Sequence, residues 1–256
     1  MKKRALIWVL LGLLLVGCTE EELDMTVVTK TMYQNETITG IDVSDAWNVT
    51  LVNDSVSYVE LEYSAFLEEY INATYNATTG VFTLGRKNTI HLPYNTVMNA
   101  TIHVDQLHNL KLSDATVCRG GHFTQMESIE IDDASELVDI IVEGSSFSIK
   151  VSDASVFKGS LTSTDTLELD LSDASEMVTY GTSANYVKAT VSNASTLNML
   201  NTETQTMDIE VSDASEASVF VTGLLQGHIN DASDLYYKGN PTINVDCTDA
   251  SEIHPL

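Results

Sequence analysis

One tetrapeptide recurs down this chain at a nearly constant interval, and no other feature limits the possible folds as tightly. It reads Ser113-Asp114-Ala115-Thr116, Asp132-Asp133-Ala134-Ser135, Ser152-Asp153-Ala154-Ser155 and Ser172-Asp173-Ala174-Ser175. It continues as Ser192-Asn193-Ala194-Ser195, Ser212-Asp213-Ala214-Ser215, Asn230-Asp231-Ala232-Ser233 and Thr248-Asp249-Ala250-Ser251. Successive Asp or Asn positions lie 19, 20, 20, 20, 20, 18 and 18 residues apart. A unit this short cannot bury an apolar face by itself; stacked on copies of itself, it can.

The columns flanking the motif specify the stacking unit. Two residues before the Asp stand Leu112, Ile131, Val151, Leu171, Val191, Val211, Ile229 and Cys247, and four before it Leu110, Ile129, Ile149, Leu169, Ala189, Ile209, Gly227 and Val245. Between them run Lys111, Glu130, Lys150, Asp170, Thr190, Glu210, His228 and Asp246. This alternation has the period of two of a half-buried strand. Four residues past the Asp, Cys118, Leu137, Phe157, Met177, Leu197, Ala217, Leu235 and Ile253 form a second inward column. The expected fold is all-β: a right-handed parallel β-solenoid (β-helix) with Ser-Asp-Ala-Ser corners. At about 4.8 Å per coil, eight coils make a rod of roughly 40 Å. The invariant Ala is expected to turn inward at the corner, where only a methyl fits.

The upstream segment follows the same plan less regularly. Ile41-Asp42-Val43-Ser44-Asp45-Ala46-Trp47-Asn48-Val49 repeats strand, corner and strand, with Trp47 in the place of Ser. Strands are expected at Tyr58–Tyr63, Val81–Leu84 and Ala100–Val104, with a turn at Thr79-Gly80. We read residues 36–106 as wider first coils and 107–256 as the regular ladder of one domain, 36–256.

Ile38-Thr39-Gly40-Ile41-Asp42-Val43-Ser44-Asp45-Ala46-Trp47-Asn48-Val49-Thr50-Leu51, then Val59-Glu60-Leu61-Glu62-Tyr63 and the Ser-Asp-Ala-Ser ladder, resemble the head GIN domain family of autotransporter adhesins. The resemblance covers roughly residues 36–256. It implies an exported β-solenoid, often a lipoprotein, whose corners commonly read Ser-Gly-Ala-Ser; here Asp or Asn replaces that Gly.

The N-terminus points to export. Lys2, Lys3 and Arg4 precede an apolar run from Ala5 to Val16, the pattern of a signal peptide (1–17) and too short to span a bilayer as a helix. Leu15-Val16-Gly17-Cys18 looks like a lipobox, which makes Cys18 the lipidated first residue and 18–35 an acidic tether. The expected location is the cell envelope, outside the cytoplasmic membrane and anchored to it through Cys18. Without the three leader cations, nine Lys and Arg of the original 12 face 37 Asp and Glu. This balance argues against nucleic acid and anionic lipid surfaces as partners. Sequons begin at Asn35, Asn48, Asn53, Asn72, Asn76, Asn99 and Asn193, relevant only in a host that glycosylates.

Two readings of the acidic column follow. Asp and Asn tolerate left-handed backbone and can bond an N–H two residues on, so the column works as a turn device. Alternatively Asp114, Asp133, Asp153, Asp173, Asp213, Asp231 and Asp249 form a weak calcium ladder, with Ser hydroxyls and carbonyls completing the oxygen shell. No other cofactor is expected. His91, His103, His108, His122, His228 and His254 lack metal-ligand spacing, and no acid–base cluster of the kind polysaccharide hydrolases need stands out, so the chain reads as a non-enzyme. Cys118 and Cys247 fall in different columns more than six coils apart, too far for a disulfide, and are expected to be buried free thiols.

The function expected is a non-catalytic adhesion or scaffold module that binds a glycan or protein along the solenoid faces. The alternatives are a calcium-dependent structural surface protein or an envelope polysaccharide hydrolase or lyase. The final coil carries no cap in the sequence, which predicts either end-to-end self-association or an N-terminal strand folded back over that end.

Overall fold

The computed structural model describes residues 23–256. The expected signal peptide and the lipidation site Cys18 lie outside the described residues. The regular ladder is a β-solenoid built from β8 (Asn109–Leu112), β9 (Val117–Arg119), β10 (His122–Phe123), β11 (Ser128–Ile131), β12 (Glu136–Val151), β13 (Val156–Leu171), β14 (Glu176–Thr179), β15 (Thr182–Val191), β16 (Thr196–Val211), β17 (Glu216–Ile229), β18 (Asp234–Lys238), β19 (Thr242–Cys247) and β20 (Glu252–Pro255). Every pairing between these strands is parallel, and the inward columns stay in register: Leu110 pairs with Ile129, Ile149 with Leu169, and Ala189 with Ile209.

Both inward columns form the core. Leu112, Ile131, Val151, Leu171, Val191, Val211 and Ile229 are fully buried, as are Cys118, Leu137, Phe157, Met177, Leu197, Ala217 and Leu235. Each coil turns sharply at the tetrapeptide. In the coils of β12, β13, β16 and β17 the rest of the circuit is one long strand that bends at irregularities, such as those between Val138 and Ile140 and between Gly144 and Ser146, whereas other coils turn again at Gly120-Gly121, Gly181 and Gly239, all at positive φ. A bulge shifts the alternation by one residue and re-aims the side chains, so β12 and β13 each run 16 residues around the core.

Residues 23–104 combine parallel layers with an antiparallel closure that the wide-coil expectation does not include. They include β1 (Val27–Met32), β2 (Gly40–Val43), β3 (Asn48–Asn53), β4 (Tyr58–Ser64), β5 (Ile71–Asn76), β6 (Val81–Arg86) and β7 (Met98–Val104). β2 and β3 form one coil directly beneath β8 and β9. The chain then passes to the opposite side of that coil, where β6 pairs with β2 and β7 with β3. There it closes the stack with antiparallel pairs, β1–β4–β7 and the β5–β6 hairpin. Among the described residues, antiparallel pairing leaves no open coil at this end. β1 also corrects the tether, because residues from Val27 onward are paired strand. Trp47, Tyr63, Phe82 and Leu84 fill the space beneath, where wider side chains replace the missing next coil.

Candidate functional site

The corners set which side chains the rod displays. In every copy the Asp or Asn and the following Ala both have positive φ, from 52° to 70°, including Asp45 and Ala46 of the first coil. Two consecutive left-handed residues reverse the chain sharply, and a small or Asx side chain bears this best. Each Ala N–H donates to the Asp or Asn carbonyl of the next coil, as from Ala115 to Asp133 at 2.8 Å and from Ala174 to Asn193 at 2.8 Å. The backbone ladder therefore runs through the corner without a break.

Two expectations change here. The invariant Ala points out, not in: Ala115, Ala134 and their equivalents are exposed, and the next residue is the buried one. Ser135, Ser155, Ser175, Ser195, Ser215 and Ser233 are at most 2 % exposed. Most of these hydroxyls accept a hydrogen bond from the serine N–H of the coil before: Ser135 N to Ser155 Oγ at 3.1 Å, Ser175 N to Ser195 Oγ and Ser195 N to Ser215 Oγ at 3.2 Å. For Ser175 and Ser195 that hydroxyl satisfies a backbone donor the turn would otherwise strand in the core, whereas the Ser135 N–H also donates to the Asp132 carbonyl at 3.2 Å. The Asx bond to a nearby backbone N–H is also replaced, since the N–H groups that would make it are taken by the neighbouring coil.

The corner carboxylates Asp114, Asp133, Asp153, Asp173, Asp213, Asp231 and Asp249 stand in single file, exposed to solvent. Asn193 donates to Asp173 at 3.1 Å, and Ser212 to Asp213 at 2.9 Å. At the capped end Arg86 closes the file. Its guanidinium lies 3.2 Å from Asp45 Oδ1, and its backbone N–H donates to Asp45 Oδ2 at 2.7 Å. Among the described residues no group of three or more His, Cys, Asp or Glu is arranged to hold a metal.

Two flat faces flank the corner file. The face after the corner carries Glu136, Glu176, Glu216, Asp234 and Glu252 in one column, with Arg119 and Lys158 in the next outward column, where Lys158 Nζ lies 3.5 Å from Glu176. The face before it mixes signs: three of the nine cations that follow the leader, Lys111, Lys150 and Lys188, alternate there with Glu130, Glu168 and Asp170. Strand register sets Lys111 beside Glu130, Lys150 beside Asp170 and Lys188 beside Glu168. Lys111 Nζ lies 3.1 Å from Glu130 and 3.6 Å from Asp132. That hydrogen bond to Glu130 holds the Lys111 ammonium above its ordinary pKa. Partial burial raises the pKa of Asp42 and of Asp132, the nearby Lys111 only partly offsetting it.

Further along this face Ser148, Lys150, Glu168, Asp170, Lys188 and Thr190 surround a shallow depression of about 360 Å³. Lys150 and Lys188 are exposed and, among the described residues, make no ion pair. They lie two coils apart, about 10 Å along the stack, with two carboxylates between them. Hydroxyls, ammonium groups and carboxylates displayed on a rigid strand lattice are suited to multidentate hydrogen bonding with an extended polar ligand. No periodic signal marked this patch, because outward positions vary freely from coil to coil.

The remaining candidates are dispersed. His103 stacks on Tyr58 at 4.0 Å between centroids and sits 3.4 Å from Asp54, in the cap; His254 stacks on Tyr236 at the other end. Both Cys118 and Cys247 are free. Cys118 is buried as expected, and burial pushes its thiol far up. Cys247 is exposed instead, because among the described residues no coil covers the layer that holds it. The folded-back N-terminal strand is likewise not at that end: β1 is paired in the cap.

The family model described as "Putative auto-transporter adhesin, head GIN domain" matches residues 37–241. No curated protein matches the chain in sequence. Among solved structures, a "putative adhesin" from Parabacteroides merdae is 14 % identical with a TM-score of 0.81, covering 90 % of this chain and 96 % of its own. A "Putative lipid binding protein" from Parabacteroides distasonis is 14 % identical with a TM-score of 0.79, covering 91 % and 98 %. A "putative adhesin" from Bacteroides fragilis is 12 % identical with a TM-score of 0.61, covering 90 % and 97 %. At these identities the likeness establishes the shared fold.

Proposed function

Since the chain belongs to the head GIN domain family of auto-transporter adhesins, we propose that it is a non-catalytic adhesion module of the cell envelope. It binds a glycan or protein along the mixed-charge face, and a lipid on Cys18 holds it to the membrane. The observation that carries this reading is the depression between Lys150 and Lys188. There unpaired cations, carboxylates and hydroxyls converge on a recess. A stacked lattice costs little further order on binding, so preorganised contacts there favour affinity.

Glycan and matrix-protein microarrays probed with residues 23–256 test this. A defined set of ligands should bind, and the doubly substituted Lys150→Ala/Lys188→Ala chain should lose most of that signal while melting normally. Binding that ignores both substitutions would remove this face from consideration.

A further inference from the structure

The last layer of the solenoid carries a strand edge that is complementary to itself. β19 pairs with β17 on one side and β20 with β18 on one side, and among the described residues neither has a partner on the other. The inward column is exposed there. Ile243 pairs with Leu225 and Cys247 with Ile229, both of which are fully buried, yet Ile243 is 43 % exposed and Cys247 is also exposed. The opposite end is closed by the antiparallel cap, so an open coil meets no matching open coil in a head-to-tail stack. A second copy can offer its own open end only through a two-fold axis.

We propose that β19 pairs with β19 of a second copy, antiparallel and centred on Val245, to form a tail-to-tail dimer. The sequence fits this register. Residues directly opposite in an antiparallel pair point to the same face. Centring on Val245 sets Val245 against itself and Ile243 against Cys247, so all three inward side chains continue the apolar core across the junction. On the outside it sets Asn244 against Asp246, so no two carboxylates of the pair stand opposite each other. A slip of one residue would place inward against outward side chains and is excluded by parity. β20 is the poorer edge, since Pro255 lacks a donor. Asp249 and Glu252 on the rim of each copy repel across the junction, so association tightens as salt screens them.

The register gives a specific cross-linking test on residues 23–256, which contain the whole described core. Ile243→Cys places a new thiol opposite Cys247 of the other copy, within the reach of a disulfide. Mild oxidation should convert the folded Ile243→Cys chain to a covalent dimer on a non-reducing gel. Asn244→Cys, whose thiol faces outward opposite Asp246, should give far less. Sedimentation velocity of the unsubstituted chain should show dimer growing with protein concentration and with salt, and Val245→Asp should return it to monomer. A chain that stays monomeric at all concentrations and salt levels would overturn the proposal, as would an Ile243→Cys chain that cross-links no faster than Asn244→Cys.

Discussion

Replacing Ser195 by Ala isolates the role of the buried serine column. Ser195 is 1 % exposed, and its hydroxyl is the acceptor for the Ser175 N–H at 3.2 Å. Its own N–H bonds to Ser215 Oγ and survives the change. The substitution therefore leaves one backbone donor buried without an acceptor, which costs about 1–3 kcal/mol. In a domain of this size 1 kcal/mol moves the melting temperature by roughly 2–4 °C, so a loss of about 4–8 °C is expected at the middle of that range. The control is Thr116→Val. Thr116 occupies the same column one coil above Trp47, and its buried hydroxyl has no hydrogen-bond partner. Its own N–H still donates to Ser135 Oγ, so removing that hydroxyl should be neutral or stabilising. Differential scanning calorimetry of the two variants decides the matter. Equal losses, or no loss in Ser195→Ala, would show that the serines are retained for size and not for the bond.

Other outcomes follow from the same geometry. Ala174 has φ 61°, where a β-branched side chain is badly strained; Ala174→Val should lower stability by about 2 kcal/mol or more, whereas Asp173→Gly, at φ 59°, should change it by less than about 1 kcal/mol, both read by urea denaturation. Burial raises the pKa of Asp42 and Asp132 in the fold, so each carboxyl disfavours folding once pH exceeds its unfolded value, fully so above its folded value. Asp42→Asn and Asp132→Asn should therefore melt higher than the parent at neutral pH, and the gain should vanish below the ordinary carboxylate range. The corner carboxylates are exposed and single-file, so calcium should raise the melting temperature no more than a monovalent salt of equal ionic strength. A calcium-specific rise reversed by chelator would make Asp114 through Asp249 a cation ladder.

The solenoid was legible because its period is carried by residues under backbone constraint. Left-handed φ at two successive positions favours Gly, Asn, Asp or a small Ala there, and a buried hydroxyl bonds the N–H of the neighbouring coil two residues after the Asp, so the corner repeats almost unchanged. The direction of the Ala was not legible: a small residue suits a crowded interior and a left-handed exterior turn equally well. The cap was also obscure. β4 through β7 lie on the far side of the β2–β3 coil, and nothing in the alternation of Tyr58–Tyr63 or Val81–Leu84 tells an antiparallel partner from a parallel one. Cys247 sits in a column buried in every earlier coil, so its exposure follows from its layer and not from its column. The depression between Lys150 and Lys188 depends on side chains from three coils, in columns under no constraint to repeat.

The most direct test of the adhesive role compares the two faces on one rod. Beads carrying residues 23–256 would be washed under flow over a ligand identified on the arrays, beside beads carrying Lys150→Ala/Lys188→Ala or the opposite-face variant Val156→Thr/Glu176→Gln. If the lysine face carries the binding site, the parent and opposite-face beads are retained and the lysine variant is released. Equal retention of all three, or loss from the opposite face alone, would contradict it.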